Sequence, residues 1–148
     1  MIISPIVVDT NIVLDCFVFK DPAAQGLREQ IVSAEIRWIA TLDMVEEYLR
    51  VLTYPNVARR ASLLDEKAYA LLPQIFILYA NIVDAPSKDQ IPCVICRDKD
   101  DQMFIDLALA HQGVLVSKDH EVLKLHGKKG LRVIDLKDFS TERGHLCD

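Results

Sequence analysis

Carboxylates follow two of the apolar segments of this chain at the points where those segments end. Asp9 comes directly after the run that ends at Val8, and Asp119 stands two residues after Ser117, which ends a second run. In open α/β sheets, ligands bind beyond the carboxyl ends of the strands, near the point where the strand order reverses. We therefore expect Asp9 and Asp119 to face one crevice.

Further acids stand close to predicted helices. Asp98, Asp100 and Asp101 precede a helix predicted from Asp101 onward. In a second predicted helix, residues 42–52, the 3.6-residue period places an apolar stripe along one face and leaves Glu46 and Glu47 at opposite borders of the polar face. The stripe consists of Leu42, Val45, Leu49 and Leu52, and Met44, Tyr48 and Val51 extend it to one side. Periodicity does not choose between the two glutamates.

Taken singly, each acid is explained by helix capping or by solvation. Carboxylates that converge to about 5 Å, however, repel each other by about 3 kcal/mol per pair at an effective dielectric constant of about 20, so a cluster needs a cation. Oxygen ligands without a well-placed His or Cys favour Mg²⁺ or Mn²⁺ over zinc, and the matching chemistry is phosphodiester hydrolysis. The alternative is phosphoryl transfer to Asp9, but Asn11 stands where phosphatases of that kind carry a second carboxylate.

Segments with strand and helix patterns alternate along the chain. Strands are predicted at residues 2–8, 38–41, 82–83, 114–117 and 132–135. Helices are predicted at residues 22–33, 42–52, 64–78 with a break at Pro73, 101–111 ended by Gly113, and 119–125. Residues 84–92 are predicted to form a loop and residues 127–130 a turn. The alternation predicts a three-layer α/β/α fold with a central, mainly parallel sheet.

The composition is that of one globular domain occupying all 148 residues. The net charge of −5 supplies no general attraction to a polyanion, so a polyanionic partner would need local cations on the protein. Because no secretory signal precedes the four cysteines and no apolar run approaches ~20 residues, we expect a cytoplasmic protein with free thiols and no membrane partner. Cys93 and Cys96 have the spacing of half a zinc site, but a second pair is missing, so inert thiols in a buried strand or turn are expected.

Four segments in this order resemble the PIN (PilT N-terminus) domain, the nuclease fold of ribonuclease toxins in toxin–antitoxin pairs. They are IVVDTNIVL at residues 6–14, EEYLRVL at 46–52, DKDDQMFIDLA at 98–108 and VSKDHEVL at 116–123. The resemblance covers nearly the whole chain. It implies an endoribonuclease that uses Mg²⁺ or Mn²⁺ and a quartet of acids.

The family's catalytic and supporting positions match individual residues of this sequence. The resemblance implies that the catalytic, metal-binding acids are Asp9, Glu47, Asp101 and Asp119. It also implies that Glu46 is the substitute for Glu47, that Asp98 and Asp100 assist, and that the supporting polar residues are Thr10, Asn11 and Ser117. In this family, Thr is more usual at the position of Ser117.

The resemblance implies three partners: an RNA substrate, an antitoxin protein that covers the acidic cleft, and a second copy of the chain. Arg59, Arg60 and the segment 118–132 carry cations suited to RNA phosphates, although a solvated basic face is the simpler interpretation. The apolar residues of 64–78 suit either a dimer interface or the core. Scattered histidines are expected to serve as core, cap or surface residues, namely His111, His120, His126 and His145. A module of the same fold that binds RNA or protein without catalysis is the alternative function.

Overall fold

A parallel β-sheet forms the centre of the fold in this computed structural model, which describes residues 4–139. The strands are β1 (Ile6–Val8), β2 (Ile39–Ala40), β3 (Asn81–Ile82), β4 (Val114–Val116) and β5 (Arg132–Ile134). Strands β1, β4 and β5 pair in parallel, as do β2 and β3. A parallel bridge between Ile6 and Trp38 joins the two groups, so the strand order is β3-β2-β1-β4-β5.

This order reverses direction between β1 and β4. Every residue of these two strands is buried, as expected for central strands covered on both faces. Right-handed crossovers place the helices of β1-to-β2 and β2-to-β3 on one face, and those of β3-to-β4 and β4-to-β5 on the other. The predicted α/β class with a parallel sheet is confirmed. The crevice for a ligand therefore lies beyond Val8 and Val116, at the reversal point.

Eight α-helices surround the sheet within residues 4–139. They are α1 (Thr10–Phe17), α2 (Gln25–Val32), α3 (Leu42–Val51), α4 (Pro55–Ala61), α5 (Glu66–Leu71), α6 (Ile75–Tyr79), α7 (Gln102–His111) and α8 (His120–Leu123). Short 3₁₀ turns occur at Pro22–Ala24, Leu72–Gln74, Lys88–Gln90, Lys99–Asp101 and Lys128–Gly130. The break predicted at Pro73 is present, because the turn Leu72–Gln74 divides α5 from α6.

Two helices were not predicted from the sequence. Helix α1 begins directly at Thr10, and the Asp9 side chain caps it by accepting a hydrogen bond from the Asn11 backbone N–H. Seven of its eight residues are buried, so the alternation of polar and apolar residues that marks a surface helix is missing. Helix α4 begins at Pro55, whose fixed φ suits a first helical turn.

The buried face of α3 differs from the prediction. Leu42 is 64% exposed and Leu49 is 39% exposed, whereas Met44 and Tyr48 lie in the core. The Tyr48 hydroxyl donates to the carbonyl of Leu72 at 2.6 Å, and this contact selects the stripe that faces inward. The prediction is therefore confirmed for the side of the stripe that carries Met44 and Tyr48 and wrong for Leu42 and Leu49, while Val45 and Leu52 are partly buried against the core.

Helix α7 ends at His111, just before Gly113 as predicted, but Gly113 is not the residue that adopts the left-handed conformation. Gln112 adopts the left-handed conformation there, with φ of 51°. A Cβ on Gly113 would lie 2.7 Å from the Pro5 carbonyl oxygen, so this position requires glycine because β1 and the start of β4 approach closely.

Some predictions fall outside the described residues, namely the strand start at residues 2–3, His145 and Cys147. Within residues 4–139, Cys16 and Cys96 are free and buried and Cys93 is free and exposed. No helix in that part of the chain is long and apolar enough to cross a membrane.

Candidate active site

Asp9 lies at the carboxyl end of β1 and is almost fully buried. Its Oδ1 accepts a hydrogen bond from the Asn11 backbone N–H at 3.2 Å, and its Oδ2 accepts one from the Ser117 hydroxyl at 2.8 Å. The Asn11 side chain is exposed, so Asn11 supports Asp9 through its backbone. Burial raises the pKa of Asp9, the two hydrogen bonds oppose this rise, and the charge of Asp119 adds to it.

Asp119 follows β4 on the adjacent strand and caps α8. Its Oδ1 accepts from the Glu121 backbone N–H at 2.9 Å, and its own backbone N–H donates to the Ser117 hydroxyl oxygen at 3.2 Å. Ser117 thus holds the two strand-ending acids in one network. Asp9 and Asp119 each cap a helix, α1 and α8 respectively, and also belong to the acidic cluster. The two interpretations of a single acid therefore hold together for these residues.

Asp101 enters the site from the turn before α7. It occupies the N-cap position of that helix without making a side-chain capping bond, so its carboxyl group faces the other acids. Burial, the charge of Asp9 and a side-chain hydrogen bond with Asp119 raise the pKa of Asp101 to about 7. Asp98 caps the same turn by accepting from the Asp100 N–H at 2.9 Å, and both of these neighbours are exposed.

Glu47 reaches the cluster from α3. The Thr10 hydroxyl donates a hydrogen bond to Glu47 Oε2, and burial together with the charge of Asp9 raises the pKa of Glu47. Glu46 is exposed. The structure therefore brings Glu47, and not Glu46, to the site, and it brings Thr10 with it.

The charges of the cluster act on Asp9, Glu47 and Asp101 although the four acids come from distant parts of the chain. Asp9 is coupled to Asp119, Glu47 to Asp9, and Asp101 to both Asp9 and Asp119, and each coupling raises a pKa. Like charges held together at a partly buried site favour either proton uptake or a bound cation.

The donor set consists of carboxylate and hydroxyl oxygens, the ligands that Mg²⁺ and Mn²⁺ prefer. Within residues 4–139, no group of three or more His, Cys, Asp or Glu side chains has an arrangement that could hold a metal ion. Mg²⁺ usually keeps several waters and binds one or two carboxylates together with substrate phosphates. The residues therefore fit a hydrated ion shared between the protein and a phosphate.

Lys118, one of the cations considered for RNA contacts, forms an ion pair within the protein. Its Nζ lies 3.1 Å from Oδ1 and 2.9 Å from Oδ2 of the buried Asp15 on α1. Lys124 pairs with Glu121, and Arg60 donates to the carbonyl of Phe19 at 3.4 Å. These three cations therefore have partners within the protein. The ion pair of Asp15 was not predicted, because its partner lies 103 residues away and local sequence patterns contain no information on such a contact.

Comparison with known proteins identifies the class of this fold and site. The family model of the PIN domain matches residues 5–121, and the chain therefore belongs to the PIN domain family. A similar solved structure is VapBC2 from Rickettsia felis bound to a DNA fragment from their promoter. That similarity has a TM-score of 0.57 at 14% identity and covers 88% of this chain and 97% of that one. No curated protein sequence matches the chain significantly.

Proposed function

We propose that this protein is a divalent-metal-dependent endoribonuclease that acts as the toxin of a toxin–antitoxin pair. The observation that carries the proposal is the convergence of Asp9, Glu47, Asp101 and Asp119 at the reversal point of the sheet. Burial is the main cause of the raised pKa values of Asp9, Glu47 and Asp101, and the charge of another acid of the cluster adds to each of them. Membership of the PIN domain family supports the same chemistry.

In the proposed reaction, Asp9, Asp101 and Asp119 hold Mg²⁺ or Mn²⁺, directly or through water. When bound, the ion would polarise a phosphoryl oxygen and make a nearby water more acidic. Asp9 is suited to this role because Ser117 and Asn11 fix both of its oxygens in place. Asp98 and Asp100 assist by adding negative potential, since the charge of Asp98 acts on Asp101 and that of Asp100 acts on Glu47.

Glu47 orients the attacking water and accepts its proton. The Thr10 hydroxyl holds one carboxylate oxygen of Glu47, which leaves the other for the water, and the raised pKa of Glu47 makes it a better base. The water oxygen forms a bond to phosphorus while the bond between phosphorus and the 3′ oxygen breaks. The products are a 5′-phosphate and a 3′-hydroxyl, the outcome that family resemblance implies.

The proposal includes a protein partner and a second copy of the chain. The similarity to VapBC2, whose structure holds a fragment of promoter DNA, supports an antitoxin that covers the acidic cleft. Several exposed apolar side chains on α5 and α6 offer a surface for the second copy: Tyr69, Leu71, Ile77 and Leu78. Leu72, Ile75 and Phe76 of the same segment belong to the core.

The experiment for this function is cleavage of an end-labelled single-stranded RNA by the full chain. We expect cleavage with Mg²⁺ or Mn²⁺, none in EDTA, and 5′-phosphate ends on the new fragments. Induction of the native chain in cells should arrest growth, and induction of the Asp119→Asn variant should not. Metal-independent cleavage would contradict the proposed chemistry, and equal growth arrest by both chains would contradict the toxin role.

A further inference from the structure

The segment between the predicted loop and helix α7 is extended and lies along the surface. Residues 92–96 have no regular secondary structure, but their side chains alternate in burial as in a strand. Val94 and Cys96 point into the core, whereas Cys93, Ile95 and Arg97 are exposed, and Ile95 is 75% exposed. The buried strand or turn predicted for Cys93–Cys96 is therefore wrong, because one side of the segment faces solvent.

Gln102 fixes this segment beside the acids. Its Oε1 accepts from the Cys96 backbone N–H at 2.8 Å, and its Nε2 donates to the Val94 carbonyl at 2.7 Å and to Asp106 Oδ1 at 2.9 Å. The Gln102 amide thus forms the hydrogen bonds to the Val94 and Cys96 backbone that a neighbouring strand would otherwise provide. Because Gln102 directly follows Asp101, the outward side chains have a defined position relative to the acidic cluster.

Three cavities adjoin along this segment, with volumes of about 630, 420 and 620 Å³. Cys93, Val94 and Ile95 line both the first and the second, and Lys129 lines both the second and the third. Lys99, in the turn that carries Asp101, lines the first. Because the cavities share lining residues, we describe them together as the 93–129 groove, and Lys99 and Gln102 of its first cavity lie within two residues of Asp101.

The 93–129 groove is strongly cationic although the protein is acidic. Among residues 4–139, a single carboxylate lines it, that of Asp106, which lies 4.0 Å from Lys88. The cations that line it are Lys88, Arg97, Lys99, Lys128, Lys129 and Arg132. Within residues 4–139, Arg97, Lys128 and Lys129 form no ion pair with another side chain. Positive charge beside a carboxylate cluster is the arrangement expected where a polyanion approaches a metal-dependent site.

We propose that the 93–129 groove binds single-stranded RNA and leads it to the acidic cluster, an inference that rests on the nuclease function proposed above. Arg97, Lys128 and Lys129 contact the phosphates. Ile95 and Pro92 offer apolar surface between the cations, and the faces of unpaired bases can cover that surface. A duplex hides its base faces in the stack, so the groove favours unpaired strands.

The test measures binding of a fluorescent single-stranded RNA to the full chain by anisotropy, in EDTA so that no cleavage occurs. The groove variant is Arg97→Gln with Lys128→Gln. The matched control is Arg37→Gln with Lys67→Gln, an equal charge change at exposed positions outside the groove. The groove variant should bind at least about tenfold more weakly near 50 mM salt, with its log–log salt slope reduced by about 1.4, because each contact to single strands contributes about 0.7. The control should bind like the native chain, and an RNA duplex of equal length should compete poorly.

A second measurement needs no change in charge. In a Cys147→Ser background, Cys93 is the exposed cysteine of the described chain, whereas Cys16 and Cys96 are buried. Bound RNA should slow the alkylation of Cys93 by N-ethylmaleimide several-fold, as read by peptide mass spectrometry, and RNA duplex should not.

Several results would overturn the inference: no RNA binding, equal loss of affinity in the groove and control variants, equal competition by duplex, or no protection of Cys93. Each of these is independent of the cleavage assay. If the native chain cleaves RNA with metal while the groove variant binds RNA as tightly as the native chain, the groove is rejected and the proposed function stands.

Discussion

The Ser117 hydroxyl donates to Asp9 Oδ2 at 2.8 Å across a separation of 108 residues. It also accepts from the Asp119 backbone N–H at 3.2 Å, so one buried hydroxyl joins the acids that end β1 and β4. These strands are neighbours at the reversal of the sheet. The fold therefore creates the centre of the site, and Ser117 fixes its geometry.

Replacing Ser117 with Ala should weaken both stability and catalysis. The change leaves Asp9 Oδ2 and the Asp119 N–H without this partner, which should cost about 1–3 kcal/mol of unfolding free energy. We expect cleavage to fall at least about tenfold, since loss of a group that orients a metal ligand typically costs 10–100-fold. Chemical denaturation and cleavage rates give the two readouts. Ser117→Thr keeps the hydroxyl and should retain more activity than Ser117→Ala; the reverse order would contradict the role given to Ser117.

Glu47 and Glu46 form a matched pair for testing the base. Glu47→Gln should lower the cleavage rate by about 10²-fold or more, because the amide cannot accept the proton of the attacking water. Glu46→Gln removes the same charge one residue away, at an exposed position, and should leave the rate within about twofold of native. Single-turnover cleavage rates distinguish them, and an equal loss in both variants would show that only the overall charge of α3 matters.

The metal-free protein should lose stability as the pH rises. Because the folded-state pKa of Asp101 is about 7, above its ordinary value, the folded protein binds more protons than the unfolded chain between about pH 4 and pH 7. The Asp101 carboxylate therefore lowers the free energy of unfolding by its full amount above about pH 7, and this loss disappears as the pH falls toward 4. Asp9 and Glu47, whose pKa values are also raised, act in the same direction.

Thermal unfolding in EDTA checks this expectation. Asp101→Asn should raise the melting temperature most near pH 8 and least near pH 5, where the native carboxyl is largely protonated. Mn²⁺ should likewise stabilise the native chain more at the higher pH, because protons compete with the ion for the same oxygens. A melting-temperature difference between variant and native chain that does not change with pH would contradict the assignment.

The Asp15–Lys118 ion pair connects α1 to the residue between Ser117 and Asp119. Lys118→Met leaves the buried Asp15 carboxylate without this partner, and we expect a loss of about 1–3 kcal/mol, less than for a fully buried pair because Lys118 is half exposed. Asp15→Asn with Lys118→Met removes both charges and should recover part of that loss. Urea denaturation of the three chains measures it; a double variant no more stable than Lys118→Met would show that the pair contributes little.

Much of the framework could be predicted from the sequence because it depends on local pattern. Apolar runs that end in an acid mark the central strands β1 and β4, and the order of strands and helices predicts the parallel sheet. Parallel strands end at one edge, so the meeting of Asp9 and Asp119 follows from topology.

The remaining features depend on contacts between distant segments. Tyr48 faces the core because its hydroxyl reaches Leu72 and its ring packs 5.0 Å from that of Phe76, and this orientation places Glu47 beside Thr10. Periodicity within α3 contains no information on those partners. The position of Gln102 between the Val94 carbonyl and the Cys96 N–H is equally invisible in a linear pattern.

Cleavage of end-labelled single-stranded RNA in Mn²⁺ by the native chain and by Asp9→Asn tests the central claim most directly. The matched control is Glu35→Gln, which removes one exposed carboxylate from the loop before β2, at the opposite end of the sheet. We predict that Asp9→Asn lowers the cleavage rate by at least about 10²-fold, the effect of losing a ligand of the catalytic ion, while Glu35→Gln cleaves like the native chain. Equal cleavage by the native chain and Asp9→Asn would contradict the account.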